Sequence, residues 1–381
     1  MNNLKVFKNS RVIITGHTGF KGSWLTAWLK ELGADVMGIS LDPNTSPSHF
    51  AASKIGKNIK NIKLDIRNKK KLEKTIVNFK PDFIFHLAAQ ALVSLSFKDP
   101  SLTWESNLLG TLNILESLKK LKSKCNVVVI TSDKCYFNRE THSGYKETDI
   151  LGGKDPYSAS KASAEILIHS YVTSFFSNQK LIRISTARAG NVIGGGDWSK
   201  NRIIPDCIKS WSKNRNAKLR NPNSTRPWQH VLEAVGGYLC LASNLKFDKK
   251  LHGESFNFGP SLSKEYSVLD LVKNMSKYWT NTSWTKNSKS KKIFFESGLL
   301  RLNCNKAKKL IKWKSVLKFD ELTSMVVDWY RNYYLDKKNA SQLTIEQIKK
   351  YQYLAIKRGS KWAKFRNKGC FVGRRIWNKT I

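Results

Sequence analysis

The sequence predicts an α/β protein built on a doubly wound parallel sheet, and three observations carry that reading. Short apolar runs alternate with helical patterns from Arg11 to Ala187. A glycine loop joins the first run to the first helix. After about Asn191 the rhythm breaks, and glycine and proline pairs crowd between shorter elements. Strand and helix in alternation imply parallel neighbours joined by right-handed crossovers. Together these give a Rossmann-type domain over residues 1–190, with a smaller substrate-binding region over 191–335 partly interleaved with it. A basic tail follows over 336–381.

The strand segments are 11–15, 35–41, 61–64, 81–87, 126–131 and 181–187. Each is short, apolar and bounded by turn residues. Helical patterns fill 23–32, 101–121 and 157–176, and Pro156 stands just before the last of these, where a first helical turn tolerates proline.

With 381 residues, 40% apolar and 11% aromatic, the chain can bury a large core. No apolar run is long enough to span a bilayer, and the polar N-terminus runs straight into a strand without a signal-peptide core, so the cytoplasm is the expected compartment. Cys125, Cys135, Cys207, Cys240, Cys304 and Cys370 are scattered, without metal-ligand spacing. Reduced, mostly buried thiols and no metal site are expected.

The formal charge is +39, from 67 basic and 28 acidic residues. Only 15 of the basic residues are Arg, the side chain suited to bidentate and stacked contacts with phosphates and bases. The excess runs along the whole chain and thickens at its end. Drift towards Lys explains this better than a nucleic-acid surface, and no nucleic-acid partner is expected. Either way, an anionic substrate is attracted.

Gly16-His-Thr18-Gly19-Phe20-Lys-Gly22 lies directly between the first strand and the first helix. Gly16 suits the tight turn, Gly19 lets backbone approach a pyrophosphate, and Gly22 lets the helix pack closely, with its N-terminus facing the phosphates. Asp42 follows the second strand, 20 residues after Gly22. A carboxylate there accepts hydrogen bonds from a ribose and repels a 2′-phosphate, which favours NAD over NADP. Asp65 and Ile66 end the third strand, where they can flank the adenine. Leu87, Ala88 and Ala89 end the fourth, small enough for the cofactor to pass, and Gln90 follows towards the substrate.

Tyr157 and Lys161 form a Y-x-x-x-K pair whose spacing puts both on one helix face. A nearby ammonium favours the phenolate, so Tyr157 can act as a base. The pattern alone carries no weight in so Lys-rich a chain, where Tyr333/Lys337, Tyr334/Lys338 and Tyr353/Lys357 repeat it. Position selects Tyr157, which follows the fifth strand and precedes the sixth. Thr131-Ser132-Asp133-Lys134 lies at the carboxyl end of that fifth strand, where open α/β sheets gather their chemistry.

The glycine loop, this strand end and the Tyr157/Lys161 pair together resemble the extended short-chain dehydrogenase/reductase superfamily. Relatives acting on dTDP-glucose carry Asp-Glu after the serine or threonine. Asp133-Lys134 is instead similar to the CDP-glucose 4,6-dehydratases. The similarity runs over about residues 5–335, through GHTGFKGSWL (16–25), HLAAQ (86–90), TSDKCY (131–136), DPYSASK (155–161), RAGNVIGGGDW (188–198), RIIPD (202–206), RNP (220–222), RPWQHV (226–231) and NFGP (257–260). The Lys-rich stretch 286–292 and the chain after about 335 have no counterpart in it.

The resemblance implies an NAD-dependent lyase turning CDP-glucose into its 4-keto-6-deoxy product, in deoxysugar and lipopolysaccharide O-antigen biosynthesis. Tyr157 would take the O4 proton beside Ser132, Lys134 the C5 proton, and Asp133 would protonate the departing C6 hydroxyl. Arg202, Arg220 and Arg226 would meet the diphosphate, with Asn191 at the diphosphate or sugar. A homodimer or higher homo-oligomer through helices 101–121 and 157–176 is implied too. Two rivals stand beside this: an epimerase of the same fold, which has no need of Asp133-Lys134, and an RNA-binding protein on a retired enzyme fold, against which the intact Ser132, Asp133, Tyr157 and Lys161 speak.

Overall fold

The computed structural model describes residues 3–262, 264–286 and 299–364. Residues 287–292 of the Lys-rich stretch, the chain after Lys364 and Cys370 lie outside the described residues. Seven strands make one parallel sheet: β1 Arg11–Thr15, β2 Asp35–Ser40, β3 Lys60–Lys63, β4 Phe83–His86, β5 Cys125–Ile130, β6 Ile182–Ala189 and β7 Ser255–Phe258. Their order is β7-β6-β5-β4-β1-β2-β3. The chain leaves β1 to one side through β2 and returns to the other through β4. A crevice opens at the carboxyl ends where those directions part, the place where such sheets bind ligands.

Alternate residues along the strands feed two cores, because successive side chains point to opposite faces. Val12, Ile14, Phe83, Phe85, Val128 and Ile130 meet the helices Phe20–Glu31, Val231–Leu245 and Phe319–Tyr334. Ile13, Ile84, Val127 and Val129 meet Lys69–Phe79, Gly110–Lys120 and Pro156–Tyr171. Among the described residues no helix is long and apolar enough to cross a membrane.

The sequence reading differs from the structure in four places. The segment 101–121 is a helix Pro100–Trp104, a π turn Glu105–Leu109 and a helix Gly110–Lys120. Gly110 is where the second helix meets the loop after β3: a Cβ there would lie 2.4 Å from Cδ1 of Ile66. Helix 157–176 likewise ends in a π turn, Val172–Phe176. Strand β7 was not anticipated. It pairs with β6 from Ser255↔Thr186 to Phe258↔Ala189, so the sheet's edge comes from inside the region after residue 190.

The fourth difference corrects the basic tail. Ala340–Lys357 is a helix packed into the main core through Leu343, Ile348, Tyr351 and Ala355, with Trp362 buried beside it. Tyr351 meets Trp28 edge-on, ring centres 5.7 Å apart. Thr344 is hydrogen-bonded to Nε2 of His49 at 2.8 Å. Lys349 and Lys357 are exposed on the outer face of this amphipathic helix.

Candidate active site

The glycine loop folds back on the end of β4. Gly16 has φ +76°, and a Cβ on it would lie 2.7 Å from the Ala88 nitrogen. A Cβ on Gly22 would lie 2.1 Å from the Gly16 carbonyl oxygen. Only glycine fits either position. Gly19 caps the helix Phe20–Glu31 without a side chain, so the free N–H groups of its first turn face the crevice. The Thr18 hydroxyl donates to the Leu41 carbonyl at 2.9 Å and meets the Ser40 hydroxyl at 2.8 Å, which anchors the loop to the end of β2. This cradle fits a dinucleotide pyrophosphate.

Leu87 and Ala88 donate from their backbones to the carbonyl and hydroxyl oxygens of Thr15, at 3.0 and 3.2 Å. They form the floor between β1 and β4. Asp65 is held by Arg67 at 2.7 Å, which also reaches Glu105. That contact keeps the Asp65 carboxyl below its ordinary range. Asp42 is highly exposed and ion-paired to Lys63 at 2.5 Å.

Ser132, Asp133, Tyr157 and Lys161 come together beyond β5, all buried. Ser132 Oγ donates to Asp133 Oδ1 at 3.0 Å and accepts from the Lys134 backbone at 3.2 Å. Asp133 and Lys134 are not paired with each other. Asp133 instead lies flat against Gly190, where a Cβ would come within 1.8 Å of its Oδ2. Burial raises Tyr157 to about 12, while a hydrogen bond with Ser132 and the charge of Arg202 pull the other way. Burial lowers Lys161 to about 8, helped by the like charge of Lys21 and opposed by Glu165.

Lys21, inside the glycine loop, was missed by the sequence reading although it stands between two of the glycines that define the motif. Burial brings it down to about 8, with Arg202 adding to the effect and Asp133 opposing it. Tyr238 was missed as well. It is fully buried, has the Lys21 ammonium 6.0 Å from its ring centre, and its hydroxyl has no hydrogen-bond partner among the described residues. Nothing in its local sequence marks it, because the helix Val231–Leu245 is buried on nearly every side.

The anticipated substrate residues separate into groups. Arg202 is half exposed, bonds Asp197 at 3.1 Å, and its charge reaches both Tyr157 and Lys21. Arg220 donates to the Asn201 carbonyl at 2.7 Å, on the same loop. Arg226 lines a crevice with Pro260, Leu262 and the nearly buried Arg301. Asn191 has φ +49° and accepts from the Gln229 backbone at 3.3 Å. Gln90 turns inward: its amide donates to Thr103 at 2.9 Å and to the Leu92 carbonyl at 3.0 Å, so it staples a loop and has no donor left for a ligand.

Comparison with known proteins shows the family to which the chain is related. The family model described as GDP-mannose 4,6 dehydratase matches residues 13–326. A CDP-glucose 4,6-dehydratase of Salmonella typhimurium is 41% identical over 85% of this chain and 91% of its own. A CDP-paratose 2-epimerase of Salmonella typhi is 27% identical, over 70% of this chain and 84% of its own. Among solved structures, dTDP-glucose 4,6-dehydratase of Bacillus anthracis in complex with NAD superposes with a TM-score of 0.67, at 20% identity, over 86% of this chain and 98% of that one. A family match of that extent, with a 41% identical relative beside it, places the chain in the GDP-mannose 4,6 dehydratase family.

Proposed function

We propose that the protein is a CDP-glucose 4,6-dehydratase, a hydro-lyase that converts CDP-glucose to CDP-4-keto-6-deoxyglucose and water with NAD as cofactor. The observation that carries this reading is the 41% identity to a CDP-glucose 4,6-dehydratase over nearly the whole of both chains, together with Asp133-Lys134 beside Tyr157. The glycine loop, the floor at Ala88 and the carboxylates Asp42 and Asp65 would hold the cofactor. The chemistry NAD supplies when bound is hydride removal at sugar C4 and hydride return at C6.

Tyr157 takes the O4 proton, and the Ser132 hydroxyl donates a hydrogen bond to that oxygen. Burial keeps Tyr157 near 12 even with the Ser132 hydrogen bond and the charge of Arg202 acting against it, so its ionisation leans further on a nearby ammonium, the role Lys161 takes on the same helix face. The C4 ketone acidifies the C5 proton, which Lys134 removes. Asp133 protonates the C6 hydroxyl, which leaves as water. Arg202, Arg220 and Arg226 neutralise the diphosphate as guanidinium forks suit phosphate oxygens.

The enzyme works as a homodimer in the cytoplasm, in deoxysugar biosynthesis. Leu109, Ile166 and Phe175 are about half exposed on the helical segments Glu105–Leu109, Pro156–Tyr171 and Val172–Phe176, large apolar side chains that an interface would cover. Incubation with CDP-, dTDP-, UDP- and GDP-glucose, read by mass spectrometry, tests the reading. Loss of one water from CDP-glucose, faster than from the others, is expected. Equal turnover of dTDP-glucose overturns the base assignment, and a product of unchanged mass speaks for an epimerase.

A further inference from the structure

Residues 131–136 leave the sheet at the end of β5 and carry Ser132, Asp133 and Lys134. Both ends of this segment are held by one buried ion pair that the proposed chemistry does not use. At the first end, Thr131 Oγ1 donates to Glu165 Oε1 at 2.5 Å. At the other, Tyr136 accepts from Arg188 Nη1 at 2.8 Å, and the guanidinium carbon lies 4.9 Å from the Tyr136 ring centre. Glu165 and Arg188 meet at 2.9 Å with side chains 2% and 3% exposed. Tyr136 passes its own hydrogen to Asn257 on β7 at 2.8 Å.

We propose that Glu165 and Arg188 form a positioning clamp, gripping both ends of residues 131–136 so as to set Ser132 and Asp133 against Tyr157. The inference rests on the dehydratase reading. The clamp is anchored on three elements. Glu165 stands on the Tyr157 helix, four residues after Lys161, so base, ammonium and clamp share one helix face. Its Oε2 also accepts from Thr186 at 2.8 Å and Ser255 at 3.2 Å, on β6 and β7. Arg188 is on β6, two residues before Gly190, the surface against which the Asp133 carboxylate rests.

Stability alone does not call for such a pair. Removing two charges from water costs about what their attraction returns, and apolar replacements of similar volume often serve as well. What the pair adds is geometry. Thr131 and Tyr136 are five residues apart and leave little freedom to the segment between them, and a misplacement of about 1 Å at reacting groups costs on the order of 10²-fold in rate.

The test compares Glu165→Gln, Arg188→Met and the double variant in the presence of NAD, using whichever nucleotide-glucose the wild type dehydrates. Each single variant strands a buried partner, so both melting temperature and kcat should fall, kcat by on the order of 10²-fold with KM within about 3-fold. The double variant should regain most of the melting temperature and keep the low kcat. A double variant that regains wild-type kcat with its stability overturns the clamp alone. A wild type that dehydrates none of the sugars overturns the dehydratase reading, and the clamp with it. If the single variants do not fold, Thr131→Val and Tyr136→Phe release one end each without stranding a charge. Each should lower kcat about 10-fold at unchanged KM, and wild-type kcat in both overturns the proposal.

Discussion

Tyr351 donates its phenolic hydrogen to Glu233 Oε2 across 2.7 Å, and both side chains are buried. The other oxygen of that carboxylate accepts from the backbones of Val316 and Leu317, at 2.7 and 2.6 Å. One side chain on the helix beneath the sheet thus ties down the loop before the helix Phe319–Tyr334 and the helix Ala340–Lys357.

Burial raises Glu233 to about 7 from an ordinary 4.5, with the three hydrogen bonds acting against it. The folded protein therefore holds a proton between those values that the unfolded chain gives up. This contribution to stability is full below about 4.5, declines as pH rises towards 7, and stays lost above it. Glu233→Gln keeps a carbonyl for Val316 and Leu317 and turns an amide to Tyr351, without the charge. Thermal melts of the two proteins should diverge as pH rises from 4.5 to 7, in favour of the variant, by on the order of 3 kcal/mol. A difference that does not change with pH refutes the assignment.

Ending the chain after Asn339 should abolish cooperative folding. The removed helix takes with it Leu343, Ile348, Tyr351 and Ala355 and uncovers Trp28 and His49. Large core side chains are worth about 2–5 kcal/mol each when truncated, against a total stability of about 5–15 kcal/mol. Circular dichroism on heating reads the outcome, and a sharp transition in the shortened protein would count against it.

Tyr157, Asp133 and Lys134 should fail at different steps. Tyr157→Phe stops oxidation at C4. Asp133→Asn and Lys134→Ala should slow water loss by about 10²–10⁴-fold while C4 oxidation continues, so reduced-nicotinamide absorbance builds up only in the latter two. In the wild type, deuterium at C4 of CDP-glucose should be found at C6 of the same product molecule, even with unlabelled substrate mixed in. Scrambling of that label between molecules would exclude an internal transfer.

Activity should fall as pH rises through about 8, where Lys161 loses the charge on which Tyr157 depends. The groups that face Lys161 are Lys21 from the glycine loop, Cys135 from the segment after β5, His86 from β4 and Glu165 from its own helix. Of these, Lys21 pushes Lys161 down. Lys21→Met should therefore move the alkaline limb of kcat to higher pH. A limb that stays in place, or moves down, removes Lys161 from that role.

Much of this was legible in the residues, for physical reasons. Six strands flanked by turn residues, and a loop whose glycines Gly16 and Gly22 admit no side chain, announce themselves locally. What stayed hidden depends on partners far along the chain. Strand β7 is four residues long and lies after residue 190, where turn residues crowd short elements and the strand–helix alternation that marks β3 and β4 has stopped. In Ala340–Lys357 the apolar face at Thr344, Ile348, Tyr351 and Ala355 is diluted by Lys349, Lys350 and Lys357. Glu165 and Arg188 meet only because β5 and β6 pair in parallel beneath the Tyr157 helix. Gln90 lies in a matching motif, and only the positions of Leu92 and Thr103 show that its side-chain amide is already engaged.

Strand β7 also sets an order for biosynthesis. On a ribosome, β6 emerges with its outer backbone edge open and stays so until residues 255–258 follow. An open edge on an apolar strand is a template for the wrong neighbour, another nascent copy included. The helix Val231–Leu245, made in that interval, can cover a face of the sheet but cannot satisfy that edge. Its own Glu233 in turn waits for Tyr351, nearly a hundred residues behind β7 in the order of synthesis. The nascent chain therefore cannot mature region by region: the halves of the crevice are locked together late, once the helix Ala340–Lys357 has cleared the exit tunnel.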